Sequence, residues 1–243
     1  MDDLLSLVVD AHGGLDRWSR VTGLTARITI GGPFWEFKGQ PGVVGHETVE
    51  LDTRREHIGF TPFGGADWTL EFSSDPERVV VRDLEGTVVE ERTDPRTSFA
   101  GYDQTSKWDL SQTGYFISYA IWNYLTEPFL LTYAGFEVHE IPPWEENGEV
   151  WRRLQATFPD SVATHSTVGL FYFDSNGMQR RMDYQPAVSG DFLVAHYTDE
   201  PKTFDEIVVP TRRRVRRRSE DGTADGTVDY ITIDVHSVEY RAS

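Results

Sequence analysis

The feature that most constrains this chain is a hydrophobic period of two, repeated in short runs cut by Gly, Pro, Asp, Asn and Ser. LTARITI (24–30), FWEFK (34–38), HETVEL (46–51), EHIGFT (56–61), WTLEF (68–72), ERVVVRD (77–83) and GTVVEER (86–92) come first. FLLTY (129–133), FEVHEI (136–141), VWRRLQATF (150–158), HSTVGLFYFD (165–174), MQRRMDY (178–184), FLVAHY (192–197), IVVPTRRRV (207–215) and DYITIDVHSVEY (229–240) follow. Alternation over so few residues, rich in β-branched and aromatic side chains and bounded by turn formers, predicts short strands joined as antiparallel neighbours. A sheet of a dozen or more strands does not stay flat, because strand twist accumulates until the sheet curls or closes.

Two segments break the pattern. Leu4, Leu7, Val8 and Ala11 stand at helical spacing before Gly13-Gly14, so a short helix opens the chain. Around 109–126, Phe116, Tyr119, Ala120, Asn123 and Tyr124 repeat every three or four residues and the pattern stops before Pro128, which predicts one internal helix. The expected fold is therefore mainly β, a barrel or half-barrel over 1–243 as a single domain, with the internal helix covering a cavity.

The charge balance, 23 basic against 40 acidic residues for a net −17, disfavours nucleic acid and anionic membranes as partners. Only Arg212 to Arg218, six arginines around Val215, run against it. Alternation in a strand puts Arg212, Arg214, Arg216 and Arg218 on one face and Arg213, Val215 and Arg217 on the other, and pairing with the surplus acids is the expected use. With no cysteine, there are no disulfides, thiolate metal sites or lipid-anchored cysteine. The acidic opening MDDLLSLVVDAHGG lacks the features of an export signal and points to a cytoplasmic location. No stretch is long and apolar enough for a spanning helix, so no integral membrane association is expected.

Several blocks carry a resemblance: AHGGLDRWSRV (11–21), DPR (94–96), WNYLTEPFLL (122–131), EVWRRLQATFP (149–159), FYFDSNGMQRRMDY (171–184), AHY (195–197) and VPTRRRV (209–215). In this order they resemble a family of bacterial proteins of about this length, a resemblance that implies a fold and brings no activity with it. The layout of helix and meander is also similar, more loosely, to the half-barrel of periplasmic lipoprotein carriers and related lipid-binding lipoproteins. That likeness implies a hydrophobic ligand, although the chain lacks their export signal and lipobox cysteine.

The seven histidines are scattered singly, with no metal-ligand spacing, and no GxSxG, GxxxxGK[ST] or GxGxxG motif occurs, so neither metal nor cofactor is expected. The densest polar grouping is RRMDY with AHY on two prospective neighbour strands. Asp183, Tyr184, His196 and Tyr197 are the candidate proton-transfer set, an imidazole oriented by a carboxylate beside a phenol. His165, read on one strand face with Thr167, Gly169, Phe171 and Phe173, is a second candidate base. The candidate ligand contacts are Tyr119, Trp122, Tyr124, Phe171, Trp35 and Phe37, whose rings suit an apolar wall. Glu36, Glu47 and Glu50, on early strands, are expected to be exposed. Two functions follow: a cofactor-independent enzyme of cyclase, isomerase or lyase type acting on a hydrophobic, polyketide-like molecule, or an intracellular carrier or sensor that binds a lipid or apolar metabolite without chemistry.

Overall fold

The computed structural model describes residues 3–190 and 192–242. In chain order the elements are helices α1 (Asp3–Ala11) and α2 (Leu15–Trp18), strand β1 (Val21–Gly31), helix α3 (Phe34–Phe37), and strands β2 (His46–Asp52), β3 (His57–Thr61), β4 (Trp68–Ser74), β5 (Glu77–Asp83) and β6 (Val88–Thr93). Helix α4 (Leu110–Thr126) comes next, then β7 (Glu137–Glu146), β8 (Glu149–Thr157), β9 (Val168–Phe173), β10 (Gln179–Tyr184), β11 (Val194–Phe204), β12 (Ile207–Arg217) and β13 (Ile231–Ala242).

All thirteen strands form one antiparallel sheet in the order β6-β5-β4-β3-β2-β1-β13-β12-β11-β10-β9-β8-β7. The sheet curves without closing. It consists of two meanders, β1–β6 and β7–β13, joined by pairing of β1 with β13 from Val21↔Ala242 to Gly31↔Thr232. Its free edges, β6 and β7, flank α4 in sequence.

Alternation decides which side chains line the concave face. Leu24, Ala26, Ile28 and Ile30 of β1, Val49 and Leu51 of β2, Phe60 of β3, Leu70 and Phe72 of β4, and Ile231, Ile233 and Val235 of β13 are all buried. Helix α4 lies against this surface, and every residue from Ser111 to Thr126 is buried. The three-and-four stripe read from the sequence marks only part of its contact surface: a curved sheet surrounds the helix on more sides than a flat one covers. Asp109 caps its start, accepting from the Gln112 backbone N–H at 2.8 Å while the Gln112 side chain accepts from the Asp109 N–H at 3.0 Å. Gly114 is required by close packing, since a Cβ there would stand 2.8 Å from Leu70 Cδ1 and 3.2 Å from Val79 Cγ1.

Two expected strands are something else and a third starts late. FWEFK is helix α3, entered through Pro33, whose ring sets φ at −70°. FLLTY, just after Pro128, is a 3₁₀ turn over Phe129–Thr132. HST (165–167), the start of the third, lies outside β9, which begins at Val168. No helix among the described residues is long and apolar enough to cross a membrane.

Candidate functional site

Register between β10 and β11 settles the geometry of the expected proton-transfer set. Arg181 pairs with Tyr197, Met182 with His196, Asp183 with Ala195 and Tyr184 with Val194. Facing partners share a side of the sheet and successive residues alternate. Tyr184 and His196 therefore point to the concave face, while Asp183 and Tyr197 point to the convex face. The four residues form two sites separated by the sheet, and no carboxylate of Asp183 orients His196.

On the concave side, Tyr124 of α4 centres a buried polar array. Its hydroxyl hydrogen-bonds His165 Nε2 at 2.6 Å and the Tyr184 hydroxyl at 3.0 Å. The His165 ring stacks on Tyr184 with centroids 4.3 Å apart and planes 5° from parallel. His165 reaches this place from the loop before β9, so it does not share a strand face with Phe171 and Phe173 as expected. Burial holds it neutral and depresses its pKa to about 3. His196 is wholly buried, its ring edge-on to Tyr124 at 4.7 Å, and among the described residues neither of its nitrogens has a hydrogen-bond partner. Burial, and then the Arg213 charge, push its pKa well below the ordinary value. Burial likewise raises the Tyr184 and Tyr124 hydroxyls far above neutrality, so both stay protonated.

Arg213 enters the same interior from β12. Its guanidinium, 1% exposed, lies 4.7 Å over the Tyr124 ring and donates to the Tyr124 carbonyl at 2.8 Å. Its counter-ion is Glu127, just past the end of α4, at 3.4 and 3.5 Å, and Glu127 also accepts from Gln179 at 3.2 Å. Val215, two residues along β12, marks the interior face by strand parity, so Arg213 was readable as inward. Its neighbours' exposure and its charge hid it. Glu47 is a second inward surprise: it is buried on β2, accepts from the Gly45 backbone N–H, and burial lifts its pKa to about 7. Glu36 and Glu50 are exposed as expected.

The convex side carries the other pair. Asp183 receives Arg181 in a fork, at 2.6 and 2.8 Å, and accepts from Tyr172 at 2.8 Å. Arg181 also donates to Glu146 and to the Gly222 carbonyl, each at 2.6 Å, and Tyr197 donates to Glu146 at 2.6 Å. Gly222, at φ +90°, brings the β12–β13 connection down on this network, and a Cβ there would stand 2.7 Å from the Trp144 ring. Four more arginines of the run are paired, Arg214 with Asp234, Arg216 with Asp229, Arg212 with Glu200 and Arg218 with Asp183, while the exposed Arg217 lies 5.9 Å over the Phe192 ring.

The expected ligand-lining residues divide similarly. Trp35 and Phe116 meet edge-on in the core at 6.2 Å, and Phe171 is fully buried. Phe37, at 49% exposed, is on the surface beneath Lys38 and Lys107 and lines nothing inside. Tyr119, Trp122 and Tyr124 are buried on α4. Between helix and sheet remain only small voids. One of about 10 Å³ is bounded by Trp35, Phe116, Ile117, Ala120, Ile121 and Tyr124 against Ile30, Val215, Ile231 and Ile233, and another of about 20 Å³ lies beside Tyr184 and Val194. The preformed chamber expected inside the barrel is thus occupied by α4. The large opening, about 1130 Å³, is a groove at one end of the half-barrel, where the β2–β3 turn, Trp18, Trp122, Tyr133 and Phe136 meet. Trp122 forms part of its floor and donates to the Asp52 carbonyl at 2.7 Å.

No protein-family profile and no curated protein matches this chain. Solved structures do. A DUF1329 family protein from Desulfovibrio piger superposes with a TM-score of 0.51 at 14% identity, covering 98% of this chain and 91% of that one. A domain from Vibrio parahaemolyticus, provisionally described as an outer membrane lipoprotein-sorting protein, gives 0.53 at 8% identity over 97% and 92%. A LolA superfamily protein from Nitrosomonas europaea aligns over 98% and 93% at 9% identity, but its TM-score of 0.46 is too low to argue from. The chain therefore has the lipoprotein-carrier-like half-barrel fold. This likeness, the filled interior and the separation of Asp183 from His196 overturn the expectation of a cofactor-independent cyclase, isomerase or lyase.

Proposed function

We propose that this protein is a carrier or sensor that holds a hydrophobic, lipid-like molecule between α4 and the concave sheet and leaves it chemically unchanged. The observation that carries this reading is an unclosed half-barrel whose apolar concavity is filled by one helix rather than by a second sheet. A helix crossing an apolar face can yield its place to an acyl chain, because both bury the same surface. The Vibrio neighbour's description as a lipoprotein-sorting domain supports the same ligand class. The groove that ends at Trp122 opens next to the last turns of α4 and provides the way in.

The test is native mass spectrometry of the purified protein, followed by solvent extraction and titration with a fluorescent fatty-acid analogue. Copurifying acyl species, or saturable binding with one site per chain, is the expected result. A chain that copurifies with nothing and binds no acyl probe would sink the proposal.

A further inference from the structure

The interior is not uniformly apolar, and its polar groups are unevenly satisfied. Buried polar side chains in folded proteins are nearly always hydrogen-bonded, and an unmet one weakens the fold. Of the thirteen unmet buried side-chain atoms among the described residues, four lie together where the end of α4 faces β11 and β12: both nitrogens of His196, Nε of Arg213 and Oε1 of Glu127, all on residues with at most 5% exposure. Strand register puts Arg213 opposite Thr198 and His196 opposite Val215, so the two share the concave face as diagonal neighbours. Both lie against the Tyr124 ring, at 4.7 Å each.

The Arg213–Glu127 pair is slack. Its contacts are 3.4 to 3.5 Å, whereas a well-made guanidinium–carboxylate bond is about 2.7 to 2.9 Å. Burial raises the Glu127 pKa despite the arginine, so Glu127 gives up its charge more readily than an ordinary carboxylate and holds Arg213 loosely. Tyr124 also walls the void along α4 that is otherwise bounded by apolar side chains, including Ile117, Ile121, Val215 and Ile233. A polar end and an apolar lane therefore meet at one side chain.

We infer that Arg213 and His196 receive the carboxylate of a long-chain fatty acid whose tail lies along the α4–sheet seam. This rests on the carrier reading and narrows its ligand. Arg213 offers a fork to one carboxylate edge, and neutral His196 offers one N–H to it. A single guanidinium matches a monoanion, whereas a phosphate monoester would leave a second charge buried and unpaired.

The experiment compares palmitate with its methyl ester by calorimetric titration of the full chain. The wild type should bind palmitate at least about tenfold more tightly than the ester, the size of one charge-assisted contact. Glu127→Gln removes the competing carboxylate and should widen that ratio. Arg213→Met combined with Glu127→Gln leaves no unpaired buried charge and should bring the ratio to about one while ester binding persists. A purely structural ion pair would not move the ratio in opposite directions. Equal binding of acid and ester by the wild type, or a preference that survives the double substitution, overturns the inference and leaves the carrier reading standing. Binding of neither removes both. Should the double variant not fold, the wild-type ratio and its change in Glu127→Gln decide the matter.

Discussion

Strands β10 to β12 use their two faces in opposite ways. On the convex face, Arg181 is fully buried yet bonded to Asp183, Glu146 and the Gly222 carbonyl, and lies 4.9 Å over the Tyr172 ring and 5.6 Å over the Trp144 ring. On the concave face, neither nitrogen of His196 has a hydrogen-bond partner among the described residues, and Arg213, though bonded to the Tyr124 carbonyl, reaches its carboxylate only at 3.4 to 3.5 Å. The convex network is finished, and so it can only stabilise. The concave groups keep bonding capacity in reserve, which is the property a binding site needs.

The comparison breaks most visibly at Arg181. Arg181→Met takes the fully buried guanidinium from the Asp183 and Glu146 carboxylates, which keep only Arg218, Tyr172, Tyr197 and Trp144, and should destabilise the fold by about 3 kcal/mol in urea unfolding, without changing acyl binding by the folded fraction. A stability loss below about 1 kcal/mol would mean that water already enters that network.

Acid sharpens it from the other side. The unfolded chain protonates its histidines near pH 6.5, while the folded chain holds His165 neutral down to about pH 3. The stability contributed by a neutral His165 is complete above pH 6.5 and is lost as the pH falls from there toward 3, by about 1.4 kcal/mol per unit. Glu47 acts in the opposite sense: its folded pKa of about 7 lies above the ordinary 4.5, so its contribution is lost as the pH rises between those values. His165→Phe should lessen the acid-side slope by its own share, beside that of His196, and Glu47→Gln the other, beside that of Glu127, each read as the difference from wild type in stability against pH. Slopes unchanged by these substitutions would refute the assignment.

The smallest effects are the most diagnostic. His196→Leu removes two unmet nitrogens and no hydrogen bond, so stability should stay level or rise by up to about 1 kcal/mol. Tyr184→Phe removes the bond to Tyr124 and should lower stability by about 1 kcal/mol. A large loss in His196→Leu would reveal a partner for that ring and remove the asymmetry between the faces.

Most of the fold was legible because alternation is a direct record of a two-sided environment. The thirteen strands and both longer helices follow from periods of two and of three to four residues. The failures fall where runs are short: FWEFK and FLLTY are apolar for five residues at most, and over that length a strand and a helical turn look alike. Pro33 and Pro128 beside them were the available signal. The candidate site was half legible. Asp183 and Tyr184 are consecutive in a strand and cannot share a face, so the expected tetrad was already excluded by parity. Parity also placed Arg213 with Val215. What no local pattern carries is that Glu127, Tyr124 and His165 converge there, since their meeting depends on how α4 crosses the sheet.

The pairing of β1 with β13 has a consequence for synthesis. The first and last strands of the sheet are hydrogen-bonded neighbours, so each meander can zip up from local hairpins while the central ladder must wait for contacts spanning nearly the whole chain. On the ribosome the β1–β6 half emerges first, with α4 made but lacking the β11–β12 wall that completes its burial. For that interval the most fully buried of the protein's longer helices has only half its cover, which makes the nascent chain most vulnerable to aggregation before β13 is made.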